Sequence, residues 1–277
     1  MKGYKAFNKD MTCRGFQYEE GKTYEESKAE CCESGFHFCE NPLDVLKYYN
    51  LCESEFAEVE VLGEVHKISE SNESNDTKAA TTKIKIGAKI GLPGLIKASF
   101  EYLWEKCYTN KDENVQAASG DCSKLAASGY GSKLAASGNA SQLAASGYYS
   151  QLAASGDCSK LAASGDDSQL AASGDCSKLA ASGYGSQLAA SGDGSKLAAS
   201  GDDSKLVMEG ENSIGAAIGS DSIIKGKKGC WITLAEYTWQ GDKHVCICVK
   251  STQIDGETIK EDTWYKLENG EFVEVEQ

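Results

Sequence analysis

Nothing in this chain of 277 residues approaches the run of about 18 apolar residues that a membrane-spanning helix needs. Its opening, MKGYKAFNKDMTCRGF, also lacks the charged-then-apolar pattern of a signal peptide. Together these absences predict a cytoplasmic protein with no membrane partner. A basic stripe is missing as well: the net charge is −14, distributed as −6 over residues 1–116, −2 over 117–206 and −6 over 207–277. Such a chain has no electrostatic footprint for phosphate backbones, so no direct nucleic-acid partner is expected. No G-x-S-x-G, phosphate-binding loop, H-E-x-x-H or C-x-x-C occurs. We therefore assign no catalytic residue, no cofactor and no metal, and expect a non-enzymatic protein. The twelve cysteines include the adjacent pair Cys31 and Cys32, and in a reducing compartment they read as free thiols.

What the chain does have is a phrase of nine letters, A-A-S-G-x-x-S-(K/Q)-L, repeated ten times without a break from Ala117 to Leu206. Such periodicity points to a solenoid. A continuous helix fails, because nine residues at about 100° each throw successive leucines onto opposite faces. A continuous strand fails too, since an odd repeat reverses the face at every copy. Each unit therefore holds a strand, S-(K/Q)-L-A-A, and a turn, S-G-x-x. In this reading the glycine supplies positive φ. Ser123, Leu125 and Ala127 point inward with a ladder of hydroxyls, and Lys124 and Ala126 point outward.

Alternate copies differ in their turns. The odd copies carry Asp121-Cys122, Asn139-Ala140, Asp157-Cys158, Asp175-Cys176 and Asp193-Gly194. The even copies carry Tyr130-Gly131, Tyr148-Tyr149, Asp166-Asp167, Tyr184-Gly185 and Asp202-Asp203. All turn cysteines fall on one set and all turn tyrosines on the other, so the structural unit is the doubled phrase, an 18-residue coil of two strands and two turns. Ten copies make five coils and, at roughly 4.8 Å per strand, a regular rod of about 24 Å. Burying a leucine contributes roughly 1.5–3 kcal/mol, whereas ordering one backbone residue costs about 1–2 kcal/mol. A single coil cannot stand alone, and stacking and end caps are required.

NSIGAAIGSDSIIKG, from Asn212 to Gly226, resembles the β-roll heads of trimeric autotransporter adhesins, and SGYGSQLAASGDGSKL is similar to the repeats of bacterial ice-nucleation proteins. The resemblance implies a β-solenoid. The Thr-x-Thr rows of ice-nucleation repeats are absent, with Lys/Gln and Ala in the outward positions.

Residues 1–107 read as an α+β domain. Strands are predicted at KGYKAFN, FQYEEGKTYEE, FAEVEVLGEV and TTKIKI, and a helix over Pro42–Tyr49 begins at Asn41 with proline in its first turn. A second helix lies near Leu95–Cys107, and SESNESNDTK reads as a polar loop. KGYKAFNKDMTCRGFQYEEGKTYEE with CCESGFHFCENPLDVLKYYN resembles an uncharacterised domain that recurs in phages, prophages and gut Firmicutes, for which no catalytic residues are established. After a solenoid over residues 108–228, residues 229–277 alternate apolar and polar positions between Gly-Asp, Asp-Gly and Asn-Gly turns, which predicts a small antiparallel β cap.

Two groups look metal-like. His37 lies among Cys31, Cys32 and Cys39, and His244, Cys246 and Cys248 share one strand face, though strand neighbours two apart sit about 6.6 Å from each other. Cys158 and Cys176 stack one coil apart and predict a thiol ladder. GFHFCENPLDVLKYY followed by FAEVEV resembles a passage of ADP-ribosyltransferases, which implies Glu58 or Glu60 as catalytic acid, but KGYKAF lacks the His or Arg those enzymes carry on the first strand.

The expected function is that of an acidic interaction protein encoded by a phage or mobile element in the bacterial cytoplasm. It binds a host protein of unknown identity and inhibits a defence assembly. The expected contacts are the solenoid edges: Asp121, Asp157, Asp175 and Asp193 on one, and Tyr130, Tyr148, Tyr149, Asp166, Asp167, Tyr184, Asp202 and Asp203 on the other. Self-association through the Tyr edge is a further expectation. The alternatives are a trimeric adhesin or tail-fibre part, and an ADP-ribosyltransferase.

Overall fold

A computed structural model describes residues 1–31, 33–49, 54–67, 77–109 and 114–276. The chain forms two compact units, Met1–Leu103 and Trp104–Gln277. Among the described residues no helix is long and apolar enough to cross a membrane.

In the first unit the strands are β1 (Lys2–Asn8), β2 (Thr12–Cys13), β3 (Phe16–Gln17), β4 (Thr23–Glu25), β5 (Phe36–Cys39), β6 (Ser54–Val61), β7 (Val65–Lys67), β8 (Lys78–Thr81) and β9 (Lys83–Ile90), and helix α1 (Leu92–Thr109) begins in this unit and ends beyond Leu103. Seven of them form one antiparallel sheet in the order β4-β9-β6-β1-β5-β8-β7, and β2 and β3 make a separate small hairpin. Strand β1 is central, and all five residues from Gly3 to Phe7 are buried, so the sheet is covered on both faces there. Phe7, Phe36, Val59, Ile84 and Ile86 build one core cluster. The helix expected at Pro42–Tyr49 is a 3-10 helix over Pro42–Lys47, with the Asn41 side chain accepting from the Leu43 amide at 3.1 Å. The strand expected at FQYEEGKTYEE is two short strands, β3 and β4, and TTKIKI is broken between Thr81 and Lys83. Most of SESNESNDTK lies outside the described residues.

The second unit is a β-solenoid in which each strand of the repeat pairs in parallel with its counterpart one coil further on: Lys124 with Gln142, Leu143 with Leu161, Ala163 with Ala181. Each of its two sheets stacks seven such strands. One runs from Val115–Ala118 to Ile223–Gly226 and the other from Lys124–Ala127 to Trp231–Gln240. The solenoid thus has seven coils, two beyond the five that the ten copies make, because Val115–Ala118, which begins before the repeat, and Ile214–Ala217, Ile223–Gly226 and Trp231–Gln240 after it keep the register although their wording differs. The inward reading of Leu and Ala holds, with Leu161 only 2% exposed and Ala163 6%. Where Gly215 replaces a leucine, the side chains of Ile224 and Met208 fill the space, and a Cβ at Gly215 would overlap Ile224 Cδ1 and lie 3.0 Å from the Met208 sulfur.

Two details of the turn differ from expectation. Within the ten copies each inward serine hydroxyl donates to the glycine carbonyl of its own turn, as Ser159 Oγ to Gly156 O at 2.7 Å and Ser177 Oγ to Gly174 O at 2.8 Å, and serines bond along the rod at its C-terminal end, where the Ser195 and Ser204 amides donate to Ser213 Oγ and Ser222 Oγ at 3.1 Å. The repeat glycine does not take positive φ either. That conformation belongs to the second variable residue, as in Cys122 (φ 56°), Ala140 (54°), Tyr149 (57°) and Cys176 (55°). Glycine is required by close approach instead, since a Cβ at Gly174 would overlap the backbone of Gly156 one coil below. A left-handed alanine costs more than a left-handed glycine, partly offset by the alanine's smaller loss of chain entropy on folding. Ala140→Gly is therefore expected to raise stability by up to about 1 kcal/mol, read as a shift of the urea midpoint at unchanged m-value.

Two hairpins close the solenoid, Trp231–Gln240 with Lys243–Gln253 and Trp264–Glu268 with Glu271–Val275. Ile224 pairs antiparallel with Tyr265, ending the parallel ladder. Ile232, Leu234, Ile254 and Tyr265 continue the leucine core, all at most 1% exposed. The outermost strands carry Lys243, Lys250, Glu271 and Glu274, charges that discourage further strand addition.

Candidate functional site

The coil register sets the two kinds of turn on opposite edges, each residue above its counterpart in the coil below. On the first edge the Asp/Asn row is tied to the backbone. Asp121 Oδ1 accepts from the Asn139 amide at 2.8 Å, Asn139 from Asp157 at 2.9 Å, Asp157 from Asp175 at 3.0 Å, Asp175 from Asp193 at 2.9 Å and Asp193 from Glu211 at 2.7 Å. Each side chain therefore satisfies a turn amide of the next coil while remaining on the surface. Cys122, Cys158 and Cys176 are free and exposed on the same edge.

The second edge keeps this device only where its sequence allows. Asp166 accepts from the Tyr184 amide at 2.9 Å and Asp202 from Ser220 at 2.7 Å. A tyrosine cannot do so, and Tyr130, Tyr148 and Tyr184 stand 64%, 55% and 54% exposed. The rings of Tyr130 and Tyr149 pack tilted at 5.3 Å. The charge of Asp167 raises the Tyr149 phenol above its ordinary range, and a hydrogen bond to Asp203 does the same for Tyr184. Burial raises the Asp167 carboxyl. Asp203 shares the left-handed turn position of Tyr149 and Asp167. The register thus gathers Asp121, Asp157, Asp175 and Asp193 on one edge and the Tyr/Asp set on the other.

The faces between the edges differ. On one sheet the outward residues are themselves buried, with Lys133 5%, Gln151 2% and Gln169 8% exposed, and Gln151 donates to Gln169 Oε1 at 3.2 Å. On the other sheet Lys124, Gln142, Lys160, Lys178 and Lys196 are exposed in one row beside the row Ala126, Ala144, Ala162, Ala180 and Ala198. None of the four lysines in that row has an ion-pair partner among the described residues. The lysine row was legible in the sequence, because Lys predominates after the Cys-type turns and Gln after the Tyr-type turns.

Among the described residues, no three His, Cys, Asp or Glu side chains come together to hold a metal ion. Cys32 lies outside the described residues. A bulge between Glu236 and Tyr237 breaks the expected single face of His244, Cys246 and Cys248. Cys248 packs against the core, while His244 stacks on Trp239 at 4.8 Å. Glu58 pairs with Lys2 at 2.7 Å, and Glu60 reaches Lys85 at 3.9 Å.

Residues 1–98 match a family model described as a domain of unknown function (DUF7666). No curated protein and no solved structure matches the chain.

Proposed function

We propose that the chain is a non-enzymatic interaction protein, encoded by a phage or mobile element, whose solenoid binds and blocks a host protein assembly. The observation that carries the reading is the unpaired lysine row. Like charges stacked at coil spacing repel one another, and a chain with 42 acidic residues leaves them uncompensated. They are satisfied by a partner surface that sets carboxylates against Lys160, Lys178 and Lys196 and apolar groups against the alanine row. The exposed tyrosines on the adjoining edge add large, stiff contact area of the kind that dominates protein interfaces. The phage assignment rests on the resemblance of residues 1–107.

The test is capture from host lysate with the tagged full chain and two variants, Lys160→Glu with Lys178→Glu and Lys196→Glu, and Tyr130→Ala with Tyr148→Ala and Tyr184→Ala. One co-purifying protein should fall at least roughly tenfold in the lysine variant, the loss expected when several charge-assisted contacts become repulsive. The tyrosine variant should weaken capture of the same protein. Undiminished capture by both variants would sink the proposal.

A further inference from the structure

Lys5 lies in the middle of the central strand β1 and is only 5% exposed. Its Nζ donates to His37 O at 2.9 Å, touches Cys13 Sγ at 3.5 Å and lies over the rings of Tyr18 and Phe7 at 5.1 and 5.6 Å. No carboxylate pairs with it among the described residues. A lysine kept only for packing would be replaced by an apolar residue at no loss, since an ammonium out of water without a counter-ion is costly. Burial drives its proton affinity down, and Arg14 acts in the same direction. The contacts of Cys13, weaker than burial but stronger than the charge of Arg14, oppose the lowering. A desolvated amine beside another cation is the setting in which lysine becomes a nucleophile.

The same amine lines a cavity of about 220 Å³, which also takes in Cys13, Arg14, His37, Tyr49 and Lys78. That is room enough for a short organic acid. No acidic residue lines it among the described residues. Burial, aided by the charges of Lys5, Lys78 and Arg14, holds the His37 imidazole neutral with a pKa of about 4. Lys78 is held over the Tyr48 ring at 4.2 Å.

Arg14 is the only arginine in the chain, against 27 lysines. It sits at a hairpin position with φ 51°, followed by Gly15 at φ 76°, where Asn, Asp or Gly is the relaxed choice. An arginine held there against its backbone preference suits the two-point grip on a carboxylate that lysine cannot make.

We propose that this cavity captures a short 2-oxo acid, its carboxylate held by Arg14 and Lys78 and its carbonyl carbon bonded reversibly to Lys5 as an imine. This site is separate from the solenoid and goes beyond the interaction role. The Nζ lone pair adds to the carbonyl carbon, and the C=O π pair moves to oxygen, which takes up a proton. Nζ gives up its two protons in turn, the resulting hydroxyl leaves as water with a second proton, and the nitrogen lone pair so freed closes the C=N bond. The sum is amine plus carbonyl giving imine plus water, with no redox change. The Tyr49 hydroxyl donates to Cys13 Sγ at 2.8 Å, and Cys13 touches Nζ, so this pair stands where those protons move.

The test treats the full chain with pyruvate and sodium cyanoborohydride, which reduces an imine to a stable secondary amine, and maps the adducts by mass spectrometry. Lys5 should be labelled at least roughly tenfold faster than the exposed lysines, and acetone, without the carboxylate, should lose that preference. Arg14→Gln, on an exposed turn, should lower labelling of Lys5 about tenfold and leave the other lysines unchanged, the loss of one charged contact. Labelling spread evenly over surface lysines overturns the site. Labelling of Lys5 that is indifferent to both Arg14→Gln and the carboxylate overturns its assignment to an acid.

Discussion

Replacing Leu161 by aspartate breaks the solenoid in its middle. The side chain is 2% exposed and packs between Leu143 and Leu179 in the ladder, so a carboxylate there has neither water nor a counter-ion. Deleting a core leucine costs about 2–5 kcal/mol, and an unpaired buried charge adds to that. Because each coil is held only by its neighbours, the damage is not shared out over the rod. The expected result is loss of most of the β-sheet circular dichroism and new tryptic cleavage at the solenoid lysines at a temperature where the parent protein resists. A melting transition unchanged by Leu161→Asp would mean that leucine does not face inward.

Gly174→Ala is the second large effect, and its cause is purely steric. Gly174 has an ordinary φ, so alanine suits the backbone, yet its Cβ would overlap the carbonyl carbon and oxygen of Gly156. The obstacle is backbone, held by the amide of Cys158 donating to Asp175 O at 2.7 Å and that of Ser173 to Ala154 O at 3.0 Å, so the coils must part. We expect a loss of about 3 kcal/mol or more, at the upper end for an overpacked site. The contrasting change is Gly131→Ala. There φ is +66° and nothing lies within 4 Å of the new Cβ, so only the left-handed backbone is penalised, at about 1–2 kcal/mol. Equal midpoints for the two variants in urea unfolding would contradict the close stacking of the glycine turns.

The coil was legible because the turn residues betray it. Cysteine and tyrosine never share an edge, and that alternation doubles the nine-letter phrase to the coil that separates paired strands throughout the repeat. The inward leucine followed from phase alone. The role of glycine was not legible, because positive φ and close approach leave the same letter in a sequence. Only the stacked backbones distinguish them, and the left-handed residue proved to be the one that varies. The extra coils were hidden where Gly215 is small and Met208 and Ile224 are large, a compensation between facing strands that no single repeat displays. The cavity around Lys5 was out of reach for a different reason. Residues 5, 13, 37, 49 and 78 come together through the sheet order and not through any spacing along the chain.

The row of side-chain acceptors, each bound to an amide one coil ahead, turns the solenoid into a ruler whose length is set in whole coils. Excising one coil rejoins acceptor to amide and inward leucine to inward leucine, and shortens the rod by one strand spacing, about 4.8 Å. Excising half a coil transposes everything downstream: the tyrosines move to the cysteine edge, and the lysines trade places with the buried glutamines. Recombination between near-identical repeats can therefore vary the number of coils freely, but only in even numbers of the nine-letter phrase.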